Sequence, residues 1–447
     1  MPKKIAVHNL GCKVNSYELD VMQQKLVSKG YEIVPFDTEA DVYIINTCTV
    51  TNIADRKSRQ MLHKAKKENP DAVVVAVGCY VETDKAGVLK DESIDLAIGN
   101  NRKADIVELL EEYIKEKEGH DDIDKTLCGS SMVDINHTNE YEEMKLGHMP
   151  GHTRSYIKIQ DGCNQFCSYC IIPFARGRVR SRKQEDILEE VTNLAKDGCK
   201  EIVITGIHIS SFGVDREGSE LLELLQKLNA IDGIERIRLS SMEPRIITEE
   251  MAQGLASLKK VCPHFHLSLQ SGCDATLKRM NRHYDTADFA RGVELLRKVY
   301  DRPAITTDVI VGFPGETEEE FAETVKFLEK INFYEMHVFK YSVRKGTVAA
   351  SLPGQLTDKQ KSVRSDVLLE MTRNQSQQYR ESFVGNSFNI LWEDTEEVDG
   401  KIYLTGLSDR YVRVAMQKET ADEKGITSGS ITTVTPTAFL KADTLLI

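Results

Sequence analysis

The chain has 447 residues and a formal net charge of −12, and 40% of its residues are hydrophobic and 29% charged. At roughly 150 residues per domain, this length predicts about three domains with the composition of an ordinary globular protein. The sequence lacks an apolar run of about 18 residues and begins like a strand rather than a signal peptide, so we expect a cytoplasmic protein without a membrane span. The acidic charge disfavours nucleic-acid binding but leaves room for it, because phosphate contacts need only a local basic face.

Residues 1–115 alternate apolar runs with amphipathic segments, a pattern typical of a parallel sheet with helices on its faces. The pattern predicts an open parallel α/β domain, with one helix over 16–29 and another that ends near residue 67. The predicted strands are 4–12, 31–36, 41–48 and 72–79.

Three cysteines of this domain, Cys12, Cys48 and Cys79, each follow the predicted end of a different strand. The C-terminal ends of parallel strands meet at one edge of an open sheet, where ligands bind. We therefore expect the three thiols to converge in a metal site, since ten cysteines without a secretory segment favour metal or redox chemistry over disulfides. The alternative is three unrelated core cysteines, because cysteine is often simply buried.

The polar, charged segment 116–150 lacks periodicity and is predicted to be a linker. Strand and helix patterns then repeat six times over 151–380, which predicts a partial (β/α)6 barrel. The predicted helices lie near 184–197, 219–230, 248–259, 285–299 and 317–330. The predicted strands are 156–160, 201–206, 236–241, 264–270, 304–312 and 335–341.

The first barrel strand leads into a loop with the spacing C-x3-C-x2-C, formed by Cys163, Cys167 and Cys170. A structural zinc site would have four ligands, and no fourth Cys or His lies nearby in the sequence. Three thiolates suit a cubane iron–sulfur cluster with one open iron that a small molecule can chelate. With Tyr169 before the last cysteine, the loop resembles the signature of the radical S-adenosylmethionine (SAM) superfamily. The alternative is three buried or incidental thiols.

Further ligand contacts are expected where barrel strands end, because barrel chemistry lies at the C-terminal ends of strands. Gly206 ends the second strand and would let a ligand approach the backbone closely. Ser268 and Gln270 end the fourth strand and can bond ribose hydroxyls. The alternative is that such residues merely form turns.

Residues 381–447 change in character, with short strand-like segments separated by Asp-Gly and Ser-Gly turns. They predict a small five-stranded antiparallel β-barrel of the oligonucleotide-binding (OB) type, a shape that commonly binds single-stranded nucleic acid. Because this region is acidic overall, RNA binding would have to use one face, with Arg410, Tyr411 and Arg413.

A basic run without any acid directly follows the cysteine loop. If the run is extended, its alternate side chains point one way, which suits a phosphate backbone. The predicted RNA contacts are Arg176, Arg178, Arg180 and Arg182. A second basic run follows Cys48 on a predicted helix, where a solvated surface is an equally good interpretation.

Together these features resemble the radical SAM methylthiotransferase family over nearly the whole chain. The resemblance lies in GCKVN at 11–15, NTC at 46–48, VGC at 77–79, the C-x3-C-x2-C loop and the terminal barrel. Members have an N-terminal three-cysteine domain, a radical SAM core and a terminal TRAM domain. GCKVN, GCNQFCSYC with IIPFARG over 162–177, and TGIH at 205–208 are most similar to one branch. That branch acts on N6-threonylcarbamoyladenosine at position 37 of tRNA.

The resemblance implies two 4Fe–4S clusters, one on each cysteine set, and SAM as both radical source and methyl donor. The second cluster would present the sulfur, and no residue beyond the cluster-bound SAM is expected to be catalytic. By the superfamily pattern, Tyr169, Gly206, Ser268 and Gln270 would contact SAM, although strand two lacks the Gly-Gly-Glu ending of that pattern. The partners would be tRNA and an electron donor such as flavodoxin or ferredoxin. The cysteines expected to be structural are Cys128, Cys199, Cys262 and Cys273.

The sequence is also compatible with other substrates and with other functions. Isopentenyladenosine-37 of tRNA and an aspartate of a ribosomal protein are alternatives within the family. A non-catalytic iron–sulfur protein that senses redox state and binds RNA is an alternative of another class, and it predicts clusters that bind no SAM. Sulfur insertion into a small molecule would leave the terminal barrel and the arginine run without a purpose.

Overall fold

A computed structural model describes residues 3–119, 133–147, 153–216 and 218–447. Cys128 and much of the predicted linker lie outside these residues. Within the described ranges, every helix is too short or too polar to cross a membrane.

Five parallel strands form the first sheet, in the order β2-β1-β3-β4-β5, with helices on its faces. The central strands β3 and β4 are buried along their whole length, which explains why their sequences are continuous apolar runs. The strands are β1 Lys4–Asn9, β2 Glu32–Val34, β3 Val42–Thr47, β4 Val73–Gly78 and β5 Leu96–Ile98. The helices are α1 Lys13–Ser28, α2 Asn52–Glu68, α3 Cys79–Thr83, α4 Lys85–Lys90 and α5 Ile106–Gly119.

The central region contains the six predicted parallel strands, in two sheets that a parallel bridge between Met242 and Leu267 connects. A short strand, β7, adds to the edge of β6 in antiparallel fashion. The strands are β6 Arg154–Asp161, β7 Arg180–Ser181, β8 Glu201–Gly206, β9 Arg236–Leu239, β10 His264–His266, β11 Ala304–Val311 and β12 Glu335–Lys340. The helices are α6 Ile172–Ala175, α7 Gln184–Lys196, α8 Leu221–Asn229, α9 Glu249–Ser257, α10 Asp274–Arg279, α11 Thr286–Val299, α12 Glu318–Ile331 and α13 Asp358–Glu381.

The C-terminal region is a sheet of six strands in the order β16-β13-β14-β15-β18-β17, so the predicted number of five is wrong. The missed strand is β18, whose three residues are too few to show an alternating pattern, and it pairs parallel with β15. The other pairings in this sheet are antiparallel, as predicted. The elements are β13 Phe388–Val398, β14 Lys401–Ser408, β15 Arg413–Gln417, α14 Lys418–Glu423, β16 Ile431–Val434, β17 Ala438–Lys441 and β18 Thr444–Leu446.

Polar contacts and a shared core hold the three regions together. Tyr17 of α1 and Ile157 of β6 belong to one continuous apolar core. Arg238 on β9 donates to the carbonyl oxygens of Ser408 and Asp409, at 2.5 and 2.7 Å. The C-terminal sheet is therefore fastened to the barrel strands by a guanidinium that is itself fully buried.

Candidate active site

The first cysteine set lies on the loop after β6, and backbone hydrogen bonds shape this loop. The N–H of Cys170 donates to the carbonyl of Cys167 at 2.9 Å, and that of Cys163 to Gly177 at 3.0 Å. Gly162 enters the loop with φ +72°, and a Cβ there would lie 1.8 Å from the carbonyl oxygen of Arg178. Only glycine fits a backbone that is both left-handed and this crowded.

The environment of these thiols fits iron–sulfur ligation. Burial raises the pKa of Cys163 to about 11 and that of Cys170 to about 12, and the other thiols of the set add to both effects. Thiols that resist ionisation this strongly become thiolates when a metal supplies the compensating charge and releases their protons. Arg282 also donates to the Cys167 sulfur at 3.0 Å, a hydrogen bond suited to a cluster-bound thiolate.

The second cysteine set follows three neighbouring strands, β1, β3 and β4, so the structure brings Cys12, Cys48 and Cys79 together. A Cβ at Gly11 would lie 3.0 Å from the Cys48 sulfur, which places this thiol against the residue before Cys12. Burial raises the pKa of Cys48 to about 11, and the thiols of Cys79 and Cys12 raise it further. The sheet order reverses between β1 and β3, so the set lies at the point where parallel sheets bind ligands.

A buried arginine supports this second set. Arg176 donates from Nε to the Cys79 sulfur at 3.3 Å and from Nη2 to Asn15 Oδ1 at 2.6 Å. Its guanidinium also pairs with Glu18 on α1 and with Asp161 at the end of β6, at 2.6 and 3.1 Å. The ion pairs thus join the loop of the first set to the ligands of the second.

One cavity of about 860 Å³ is lined by Cys12 and by all three cysteines of the first set. The four residues predicted to contact SAM also line it: Tyr169, Gly206, Ser268 and Gln270. Gln270 adopts φ +71°, an uncommon conformation for a residue with a side chain. The arrangement can therefore hold a cluster-bound small molecule and a substrate in the same space, between two thiolate sets.

Sequence reasoning missed several residues in the cavity wall, among them Lys13, His264, His266, Asp308 and His337. Groups on β10, β11 and β12 meet here, and the possible ligand atoms of His266, Asp308 and His337 lie within 4.8 Å of one another. Part of the signal was present in the sequence, because His264, His266, Ser268 and Gln270 occupy every second position and so share a face.

The cavity also receives a residue from the C-terminal region. Tyr411 lines the cavity, and its ring lies 3.7 Å from the Arg238 guanidinium and 4.6 Å from the His264 ring. Strand β15 begins at Arg413, and Tyr411 adopts φ +60° in the turn before it. The turn places Tyr411 in the cavity wall.

Most of the arginine run that was predicted to contact RNA is buried in the structure. Arg176, Arg180 and Arg182 are at most 1% exposed, so these three side chains cannot contact RNA phosphates in this arrangement. Arg182 pairs with Glu190 and Glu143, and Arg180 donates to the carbonyls of Arg176 and Arg178. The acids that neutralise the run come from elsewhere in the chain, which its local sequence could not reveal.

Arg178 remains partly accessible, and its guanidinium lies 4.6 Å from the centre of the Phe166 ring. Arg410 pairs with Asp409 at 2.9 Å, and Arg413 with Glu396 at 2.9 Å, while both remain partly exposed. The second basic run lies on α2, where Lys64 pairs with an exposed aspartate. This pairing favours the interpretation that at least part of the run is an ordinary solvated helix surface.

Four cysteines are expected to be structural, and Cys128 is outside the described residues. The other three do not line the cavity. Cys199, Cys262 and Cys273 are buried, and Cys199 donates to Ser155 Oγ at 3.5 Å.

Comparisons with known proteins identify the two cysteine regions. Residues 157–328 match the radical SAM superfamily, and residues 4–99 match the uncharacterized protein family UPF0004. The chain is 38% identical to the threonylcarbamoyladenosine tRNA methylthiotransferase MtaB of Bacillus subtilis, over 92% of this chain and 90% of that protein. It is 41% identical to the MtaB of Aquifex aeolicus, over 87% of this chain and 92% of that one.

A second group of relatives has a different named activity. The chain is 34% identical to the tRNA-2-methylthio-N(6)-dimethylallyladenosine synthase of Acetivibrio thermocellus, over 90% of this chain and 83% of that protein. Among solved structures, the radical SAM methyltransferase TsrM of Kitasatospora setae has a similar fold, with a TM-score of 0.57 and 17% identity. The match covers 78% of this chain and 77% of that one. With two three-cysteine sets around one cavity and these relatives over most of its length, the chain belongs to the radical SAM methylthiotransferase family, MtaB type.

Proposed function

We propose that the chain methylthiolates C2 of N6-threonylcarbamoyladenosine at position 37 of tRNA, with SAM as both radical source and methyl donor. The observation that carries this function is the single cavity that Cys12 shares with the first cysteine set. C2 of adenine carries an unactivated C–H bond, which calls for cofactor chemistry rather than acid–base chemistry. The MtaB relatives are named for this nucleoside.

The residues of the chain hold and orient the reacting groups. Cys163, Cys167 and Cys170 would hold a 4Fe–4S cluster that, with SAM bound, supplies a 5′-deoxyadenosyl radical. The second set would hold the cluster that supplies sulfur, and Tyr169, Gly206, Ser268 and Gln270 would contact SAM from the cavity wall.

The proposal assigns a function to each region of the chain. Residues 1–115 would carry the second cluster, 116–150 would link, 151–380 would form the radical SAM core, and 381–447 would be a TRAM domain with an OB-type barrel. An electron donor such as flavodoxin or ferredoxin would serve the first cluster in the cytoplasm.

Mass spectrometry of digested tRNA from cells lacking the gene tests the function. Loss of 2-methylthio-N6-threonylcarbamoyladenosine alone, restored by the gene on a plasmid, is the expected result. Loss of the 2-methylthio-isopentenyl derivative instead would reassign the substrate. If neither nucleoside changed, the tRNA function would be wrong, and a ribosomal-protein aspartate would be examined next.

The exposed surface of the cysteine loop suggests where the RNA binds. Phe166 and Phe174 are 39% and 43% exposed and meet edge to face, with ring centres 6.1 Å apart. Arg178 lies over the Phe166 ring. An aromatic pair with an arginine is the kind of surface on which unpaired bases stack. We include these three residues in the proposed RNA interface in place of the buried arginines.

Phe174→Ala and Arg178→Ala are each expected to weaken binding of an anticodon stem-loop by about 10-fold, since stacking contributes about 1–3 kcal/mol per base. Fluorescence anisotropy measures this change, and SAM cleavage without RNA reports whether the first cluster is intact. Arg373→Ala, on the exposed side of α13, is the matched control. Unchanged RNA affinity in both variants would move the interface elsewhere.

A further inference from the structure

One part of the cavity wall, away from the cysteine loop, carries several polar side chains. It includes Lys13 from α1, His264 and His266 from β10, Asp308 from β11 and His337 from β12. A dimethylallyl group is apolar and would leave such side chains without hydrogen bonds. A threonylcarbamoyl group carries a carboxylate, a hydroxyl and ureido N–H groups, so it offers a partner for each kind of side chain here.

Lys13 is the cation of this wall that lacks a partner. Among the described residues its ammonium makes no hydrogen bond or salt bridge, whereas the buried Lys158 pairs with Glu18 and Asp161 at 2.7 and 2.6 Å. Lys13 lines the cavity together with Asp308, His264 and Tyr411. An ammonium group that lines a cavity and makes no salt bridge there can form a charge-assisted hydrogen bond with an anionic ligand.

Two buried histidine nitrogens near Lys13 are also without partners. His264 and His266 are 7% and 8% exposed, and His264 Nδ1 and His266 Nε2 have no hydrogen bond within the described part of the chain. His266 Nε2 lies 3.3 Å from a carboxylate oxygen of Asp308, in an orientation that forms no hydrogen bond. Buried polar atoms are normally satisfied, so these two indicate a polar ligand in the cavity.

We propose that Lys13 binds the carboxylate of the threonylcarbamoyl group and thereby selects this nucleoside over one with a neutral N6 substituent. The inference rests on the proposed function. Lys13 directly follows Cys12, and C6 of adenine is separated from C2 by a single ring nitrogen. A base whose C2 is presented to the second cysteine set therefore has its N6 substituent close to that set as well. His264 and His266 complete the subsite as hydrogen-bond partners for the rest of the group.

The test compares two anticodon stem-loops, one with threonylcarbamoyladenosine and one with its neutral carboxamide analogue. Wild-type protein with both clusters is expected to bind the acid about 10- to 100-fold more tightly than the amide, as for a charge-assisted hydrogen bond of about 1.5–3 kcal/mol. Lys13→Gln should bind both RNAs with the affinity of the amide, and Lys13→Arg should recover most of the preference. Lys29→Gln, an exposed lysine at the end of α1, is the matched control.

Several outcomes would overturn the role of Lys13. If the wild-type protein bound the acid-bearing and the amide-bearing RNA equally well, the role of Lys13 would be disproved without any mutation. An equal loss for both RNAs in Lys13→Gln would assign the lysine to a backbone phosphate or to structure. Iron content and SAM cleavage show whether the variant keeps its clusters. The proposed function is judged separately, since it fails only if the wild type does not methylthiolate the acid-bearing RNA.

Discussion

Cys170→Ala is expected to abolish formation of 5′-deoxyadenosine, whereas Cys79→Ala should leave SAM cleavage intact and abolish methylthiolation. The reason is that the two cysteine sets lie on separate loops but line or adjoin one cavity, so each cluster can be lost without the other. Each variant should lower the iron content from about eight to about four per chain, as for loss of one 4Fe–4S cluster. Chromatography of the SAM products and iron analysis measure both effects.

Cys262→Ala provides the control for this pair of variants. Its thiol is 3% exposed and absent from the cavity wall, so both clusters and both activities should be retained. The separate roles would be disproved if Cys79→Ala still methylthiolated tRNA, or if Cys170→Ala still cleaved SAM.

Glu18→Ala is expected to lower the free energy of unfolding by about 3–5 kcal/mol, because it leaves buried cations without their counter-charge. Lys158 and Arg176 contact Glu18 Oε1 at 2.7 and 2.6 Å, and Lys103 binds the other oxygen. Although burial opposes ionisation, Arg176, Lys103 and Lys158 hold the pKa of Glu18 well below its usual range. Urea denaturation of the anaerobic protein measures the change.

Two variants separate the charge of Glu18 from its packing. Glu18→Gln keeps the shape and removes the charge, so it should be nearly as destabilising as Glu18→Ala. Glu189→Ala removes an exposed carboxylate that pairs with Lys145 at 2.7 Å, and it should cost less than about 1 kcal/mol. A Glu18→Gln protein as stable as Glu189→Ala would show that the buried charge is unimportant. Loss of the second cluster in Glu18→Gln is also expected, since Arg176 contacts Cys79.

The convergence of the second cysteine set could be predicted because it depends only on local pattern and sheet geometry. A strand that ends in cysteine is visible in the sequence, and parallel strands align their ends. The burial and ion pairing of the arginine run could not be predicted in this way. Alternation put Arg176 and Arg180 on one face, but Glu18, which meets that face, lies 158 residues from Arg176. Periodicity says which side chains share a face and leaves open what packs against it.

The composition of the cavity wall could also be predicted only in part from sequence periodicity. The polar alternation of His264 and His266 was readable, yet it acquires a meaning only when α1 brings Lys13 alongside the barrel. That approach depends on the packing of Tyr17 and on the Glu18 ion pairs, which are contacts between regions far apart in the sequence. The short β18 escaped prediction for a different reason, because three residues carry too little pattern.

Tyr411 connects the C-terminal region to the wall of the cavity. It belongs to the C-terminal region, yet it forms part of the wall that the target base would meet. Its position is fixed from both sides, by the Arg238 contact and by the turn before β15. If an RNA on the C-terminal sheet shifts this ring, the affinity of the cavity for the base changes by some factor. Reciprocity then requires that an occupied cavity change the RNA affinity of the sheet by the same factor.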